Sequence, residues 1–162
     1  MEDIFKHSKV RDDKGNLLVC YHGTDIENID EFKPMDSGLI WFTPDEWYAS
    51  VHAEKRTGEG VIYPVYLNIE KLLYLDNIDS SLEGGKYNPR LRLLAGKLSL
   101  TTDSLLSKVD NPEFLYDVVN SKIFPELLKR AGYDGVYAEE GFSTSYGVLS
   151  DDQVYKIQDS AE

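Results

Sequence analysis

Apolar residues along this chain fall into short runs separated by polar stretches marked with glycine and proline. The first run, Leu17 to Tyr21, ends abruptly in His22-Gly23-Thr24 and predicts a strand over residues 17–22. A second strand is expected over 38–42, where Gly38-Leu39-Ile40-Trp41-Phe42 leads into Thr43. The richest β-branched and aromatic stretch is 61–69; Pro64 within it demotes that strand to an edge or a bulge. Further short strands are expected at 135–138, 145–149 and 153–157, with a flexible connection at 139–144.

Helical spacing governs two other regions. Tyr48, Val51 and His52 share a face over residues 44–55. That helix carries a start signal: Thr43 as N-cap, Pro44 in the first turn and Glu46 completing a capping box. It is expected to end before Thr57-Gly58-Glu59-Gly60. Over 112–131, Leu115, Val119, Ile123 and Leu127 recur every four residues. Pro125 removes an interior hydrogen bond, so two consecutive helices are expected, closed by Lys129-Arg130 and Gly132. Residues 1–10 read as a short helix or an arm, 11–16 as a polar turn, and 25–37 as a loop that turns Ile26, Ile29 and Phe32 inward. Residues 76–89 are punctuated like a loop, and 90–110 carry a short helix after Thr102 or Asp103. The expected fold class is α+β: one domain over 1–162, with five to seven short strands and a mostly helical insertion across 76–131.

Composition then narrows function. The chain has 162 residues, 41% hydrophobic and 28% charged, which suits a soluble globular domain. Its net charge of −12, with no Lys/Arg-rich stripe, disfavours tight nucleic-acid binding. No apolar run approaches the ~20 residues of a membrane helix, and the N-terminus lacks a signal-peptide layout. No membrane association is expected. The single cysteine, Cys20, lies in an apolar run and reads as a buried thiol, consistent with a cytoplasmic location. His7, His22 and His52 lie far apart with no zinc-type spacing, so no metal is expected.

Standard catalytic motifs are missing. There is no Gly-x-Ser-x-Gly, no phosphate-binding Gly-x-x-x-x-Gly-Lys-Thr and no Gly-x-Gly-x-x-Gly. A lone strand histidine is more often structural than functional. Tyr21-His22-Gly23-Thr24 changes that weighting, because glycine permits close backbone approach and threonine adds a polar partner. Taken singly, Trp41, Phe42 and Tyr48 read equally well as core, His52 as a half-exposed helix residue and Glu139-Glu140 as a solvated loop.

Taken in order, three blocks resemble the ADP-ribosyltransferase superfamily on its diphtheria-toxin and poly(ADP-ribose) polymerase side. Within it, the chain is most similar to ART-like domains of phage polyvalent and minor-capsid proteins. The blocks are Tyr21-His22-Gly23-Thr24; Gly38 through Thr43 with Ala49 and His52; and Ala131 through Val136 followed by Tyr146-Gly147-Val148-Leu149 and Gln153-Val154. The resemblance implies a split β-sheet core and NAD as a substrate bent into one cleft. It implies that His22 bonds the adenosine ribose and that the Gly23 backbone bonds the nicotinamide carboxamide. Thr24, Trp41, Phe42, Thr43, Tyr48 and His52 complete the expected NAD-binding set.

The sequence departs from the family pattern in three places. Trp41 and His52 stand where two tyrosines usually sandwich the nicotinamide, and both rings can still stack. Ser145 stands at the usual catalytic glutamate, before Tyr146-Gly147-Val148-Leu149. The expected catalytic residues are therefore His22, Ser145 and, as a substitute acid, Glu140. The leading expectation is a mono-ADP-ribosyltransferase that modifies a protein acceptor, a phage or mobile-element effector acting in the host cytosol. A degenerate ART-like binding module and an NAD-hydrolysing toxin are the alternatives.

Overall fold

The computed structural model describes residues 3–34, 38–54, 60–141 and 143–158. Its strands are β1 (Cys20–Thr24), β2 (Ile40–Phe42), β3 (Val61–Leu67), β4 (Leu72–Leu75), β5 (Gly135–Glu140), β6 (Ser143–Val148) and β7 (Val154–Lys156). Its helices are α1 (Glu46–Glu54), α2 (Pro89–Lys97), α3 (Thr102–Lys108), α4 (Leu115–Val119) and α5 (Phe124–Arg130). The strands form two sheets, ordered β1-β3-β7 and β2-β6-β5-β4.

The four-stranded sheet is the middle layer. Side chains alternate across a strand, so each face gathers its own core. Leu39, Leu73, Leu75, Val136 and Ala138 pack with the apolar faces of α2–α5. Ile40, Phe42, Tyr146 and Val148 face the other way, onto Cys20, Val65 and Leu67 of the smaller sheet. One backbone bridge ties the two sheets: Tyr21 and Thr43 exchange N–H···O bonds of 2.7 and 3.0 Å. Strands β4 and β5 are parallel neighbours, and α2–α5 lie on the crossover between them, the kind of connection parallel pairing requires.

Several boundaries differ from the sequence expectation for local reasons. Strand β1 starts at Cys20, because Leu17 bridges Arg11 and Leu18 donates to Val10 instead. Pro64 lies in the central strand of its sheet rather than at an edge or bulge. It is tolerated there because it faces Tyr21, whose N–H and C=O are turned to Thr43. The Pro64 carbonyl accepts from Ile157 at 2.9 Å, just past the end of β7, where a missing N–H costs one terminal bond. Helix α1 begins at Glu46 without the expected capping box. The Thr43 N–H is committed to Tyr21, and Asp45 Oδ1 accepts from the Tyr48 N–H at 3.2 Å. Asp45 is therefore the cap. The turn expected at 57–60 falls largely outside the described residues.

Residues 139–140 and 143–144 are not a flexible connection: Glu139 and Glu140 pair with Thr144 and Ser143 in a β5–β6 hairpin. Strand β4 and helix α2 were not anticipated. Asn88-Pro89 marks the start of α2 in the sequence: the Asn88 side chain caps Arg90 and Leu91, and proline occupies the first turn. The helix near 102 is capped by Thr101, one residue earlier than expected. Two helices do flank the Pro125 break, with the proline in the first turn of α5. Residues 3–10 run as an arm along the smaller sheet, where Ser8 Oγ donates to the Leu67 carbonyl at 2.7 Å and Lys9 N–H to Ile69 at 2.7 Å.

Candidate active site

A cleft of about 580 Å³ opens where β1, β2, the β5–β6 hairpin and α1 converge. That size is ordinary for a small-molecule site. Strand β1 carries His22 to its wall. His22 Nδ1 lies 2.9 Å from the Trp41 carbonyl oxygen, which can only accept, so the proton sits on Nδ1. In the neutral ring Nε2 is then a bare acceptor. Burial lowers the pKa of His22 against the opposing pull of the Trp41 carbonyl, which favours this neutral form. Phe32 and Phe42 hold the ring at centroid distances of 5.2 and 5.3 Å.

Gly23 follows on the opposite face of β1. A Cβ there would lie 1.9 Å from the Ala49 carbonyl oxygen and 3.1 Å from the Ala53 nitrogen. The glycine is thus required by the approach of α1. Backbone groups alternate in direction along an antiparallel strand. Since Tyr21 directs its N–H and C=O toward Thr43, away from β3, Gly23 directs its own pair the same way, toward the level of Trp41 in the antiparallel register. A donor and an acceptor therefore face the cleft side by side.

The other expected residues divide into three groups. Trp41, Tyr48 and His52 line the cleft, and the Tyr48 and His52 rings meet edge to face at 4.7 Å. The six-membered ring of Trp41 covers Gly147, where an added Cβ would approach it to 3.1 Å. Its Nε1 is buried with no acceptor, an arrangement that costs about 1–3 kcal/mol. Phe42 also borders the cleft, but it is only 2% exposed and backs the histidine from the inter-sheet core. Thr24 and Thr43 also border the cleft but are buried and hydrogen-bonded: Thr24 Oγ1 accepts from Ile26 N–H at 3.2 Å, and Thr43 Oγ1 donates to Thr144 O at 2.9 Å.

Ser145 and Glu140 both line the cleft. Ser145 pairs with Ala138, so Glu140, two residues further along β5, is its diagonal neighbour on the same face. Such neighbours stand roughly 7–8 Å apart at the backbone, within reach of a glutamate side chain. Burial and then the Glu140 charge raise the Tyr48 phenol pKa, while a bond from Ser143 opposes the shift.

The remaining wall carries no signal in the amino-acid pattern. Ile78, Tyr116 and Asn120 close one end of the cleft, and Asp25, Lys33 and Pro34 approach the other. Among the described residues, no group of three or more His, Cys, Asp or Glu could hold a metal ion, and no helix is long and apolar enough to cross a membrane.

Two sheets split around a cleft, with a histidine-glycine strand end facing a bridged second strand, define a protein of the ADP-ribosyltransferase-like class. Residues 12–162 match the family described as ADP-ribosyltransferase in polyvalent proteins, and the chain belongs to that family. Its members use NAD as substrate. No curated protein matches the sequence. The crystal structure of an anti-CRISPR protein is similar at a TM-score of 0.47 and 16% identity, over 86% of this chain and 94% of that chain.

Proposed function

We propose that this chain binds NAD in the cleft and transfers a single ADP-ribose to a protein acceptor, as an effector of a phage or mobile element. The observation that carries the proposal is the end of β1. There a neutral His22 offers Nε2 as an acceptor for a ribose hydroxyl, and Gly23 offers a paired N–H and C=O for a carboxamide. Trp41 and His52 supply flat surfaces for the nicotinamide.

In this reading the bond from the ribose C1′ to nicotinamide breaks first. The bonding pair leaves on the ring nitrogen and neutralises the pyridinium. Glu140 stabilises the positive charge that grows on the ribose; Ser145 contributes only a hydroxyl. Catalysis is then a matter of orientation and fixed charge. Glu140 as the one acid beside Ser145, in place of the usual glutamate at 145, suits one transfer rather than chain growth.

Ser145 also supports a second reading, a binding module that has lost its chemistry. Calorimetric titration with NAD, followed by single-turnover assay of nicotinamide release, separates the two. Binding with release supports the transferase; binding without release at millimolar NAD supports the module. Absence of binding would dismiss the NAD site.

A further inference from the structure

We propose that the wall formed by Ile78, Tyr116 and Asn120 is the acceptor subsite, and that it takes a basic segment of a protein. The inference rests on the transferase reading above and deepens it. A continuous series of backbone bonds orders the cleft wall. Tyr21 bonds Thr43, β2 pairs with β6, and β6 pairs with β5. Ile78 N–H then donates to the Glu139 carbonyl at 2.9 Å, and Tyr116 N–H donates to the Ile78 carbonyl at 2.7 Å. With neighbouring chains about 4.8 Å apart, Glu140 lies three steps, about 14 Å, from β1. Tyr116 lies about 10 Å further on. The cleft thus continues past the substitute acid, on the side away from His22.

Charge gives that continuation a preference. Lys33 is the one lysine or arginine that lines the cleft among the described residues. It follows Phe32, whose ring lies against His22, so its charge lies at the β1 end of the cleft, which Asp25 also lines. The opposite end is acidic. Segments 76–85 and 109–121, which carry Ile78, Tyr116 and Asn120, contain six carboxylates, with Lys86, Lys108 and Lys122 at their borders. Asp76 is paired with Arg90 at 3.3 Å, and Asp117 bonds the N–H groups of Glu113 and Phe114 at 2.9 Å. Asp79, Glu83, Asp110 and Glu113 are exposed, as are Glu139 and Glu140, and Asp79 follows Ile78, which bonds Glu139. Such a rim attracts a cationic chain and repels an anionic one. Phe114 stacks on Tyr116 with centroids 5.4 Å apart and planes 5° from parallel, which holds the Tyr116 ring in the cleft wall. A tyrosine ring and an amide suit the stem and head of an arginine or lysine.

The transfer step balances without another reagent. After the nicotinamide bond has broken, the Glu140 carboxylate takes a proton from the acceptor ammonium or guanidinium and later passes it to water. The nitrogen lone pair freed in this way bonds C1′.

The test uses a basic peptide carrying arginine, lysine and serine, and a counterpart in which glutamate replaces the arginine and lysine. Peptide labelling is divided by nicotinamide release, so that transfer is read against total NAD turnover. The basic peptide is expected to be labelled and the acidic one not. Tyr116→Ala, and separately Asp79→Lys with Glu113→Lys, are expected to lower the labelled fraction by about tenfold or more, a 1.4 kcal/mol difference. The surface pair keeps the test open if Tyr116→Ala fails to fold. An unchanged fraction in the folded variants, equal labelling of both peptides, or nicotinamide release with neither peptide labelled overturns the subsite while leaving the NAD reading intact. No NAD binding and no release would overturn both.

Discussion

The carbonyl oxygen of Ala49 occupies the space where a side chain on Gly23 would begin, 1.9 Å from the position of its Cβ. The contact sets the distance between α1 and β1, and with it the separation of His52 and Tyr48 from the strand end. Gly23→Ala must push the helix away. Overpacking of this kind costs about 1–3 kcal/mol. We expect a lower denaturation midpoint together with weakened NAD binding, measured by chemical denaturation and calorimetry. A variant with full stability and full affinity would show that the helix yields without effect on the site.

The lowered pKa of His22 has a thermodynamic consequence. Its unfolded-state value is about 6.5. Between that value and the lower folded-state value, the unfolded chain binds a proton that the folded chain does not, so stability falls as pH decreases. Above about pH 6.5 both states are neutral and the penalty vanishes. Urea titrations across pH 5 to 8 are expected to show this slope, reduced in His22→Gln. NAD affinity is expected to fall only at lower pH, below the depressed folded-state pKa, where Nε2 gains a proton.

Burial pushes the Cys20 thiol up to about 12. Neither exposure nor thiolate is then available to an alkylating reagent at neutral pH. Labelling of the native protein with iodoacetamide should be negligible and should become complete in denaturant. Fast labelling under native conditions would contradict the packing of β1 against β3.

The Glu140 assignment is tested by Glu140→Gln. The substitution keeps size and removes charge, so single-turnover nicotinamide release should slow by about 10²–10³-fold, with NAD affinity little changed. Ser145→Glu should accelerate release, because it restores a carboxylate on the same sheet face. Equal rates in the parent and Glu140→Gln would remove Glu140 from the mechanism.

Two caps can be told apart by mutation. Asp45→Ala removes the bond to the Tyr48 N–H and should cost about 1 kcal/mol. Thr43→Ala loses the bonds to Asp45 N and Thr144 O, at a net cost of about 0.5–1.5 kcal/mol for each bond. Helical content near α1, followed by amide exchange, should fray in Asp45→Ala and persist in Thr43→Ala.

Local chemistry made much of this protein legible in one dimension. The switch from an apolar run to His22-Gly23-Thr24, the Pro125 break between two helices, and the ordered family blocks all depend on residues close in sequence. What needed the tertiary structure involves partners far apart. Pro64 sits in a central strand only because Tyr21 turns its hydrogen-bonding groups toward Thr43. Thr43 cannot complete a capping box with Glu46 because a strand has already taken its N–H, and Gly23 is required by a helix carbonyl rather than by ligand approach alone. Glu140 stands diagonally from Ser145 because a hairpin sets that register. Tyr116 and Asn120 reach the cleft through a bond to Ile78 across 38 positions of sequence, a pairing that periodicity cannot encode because it depends on how the crossover closes in space.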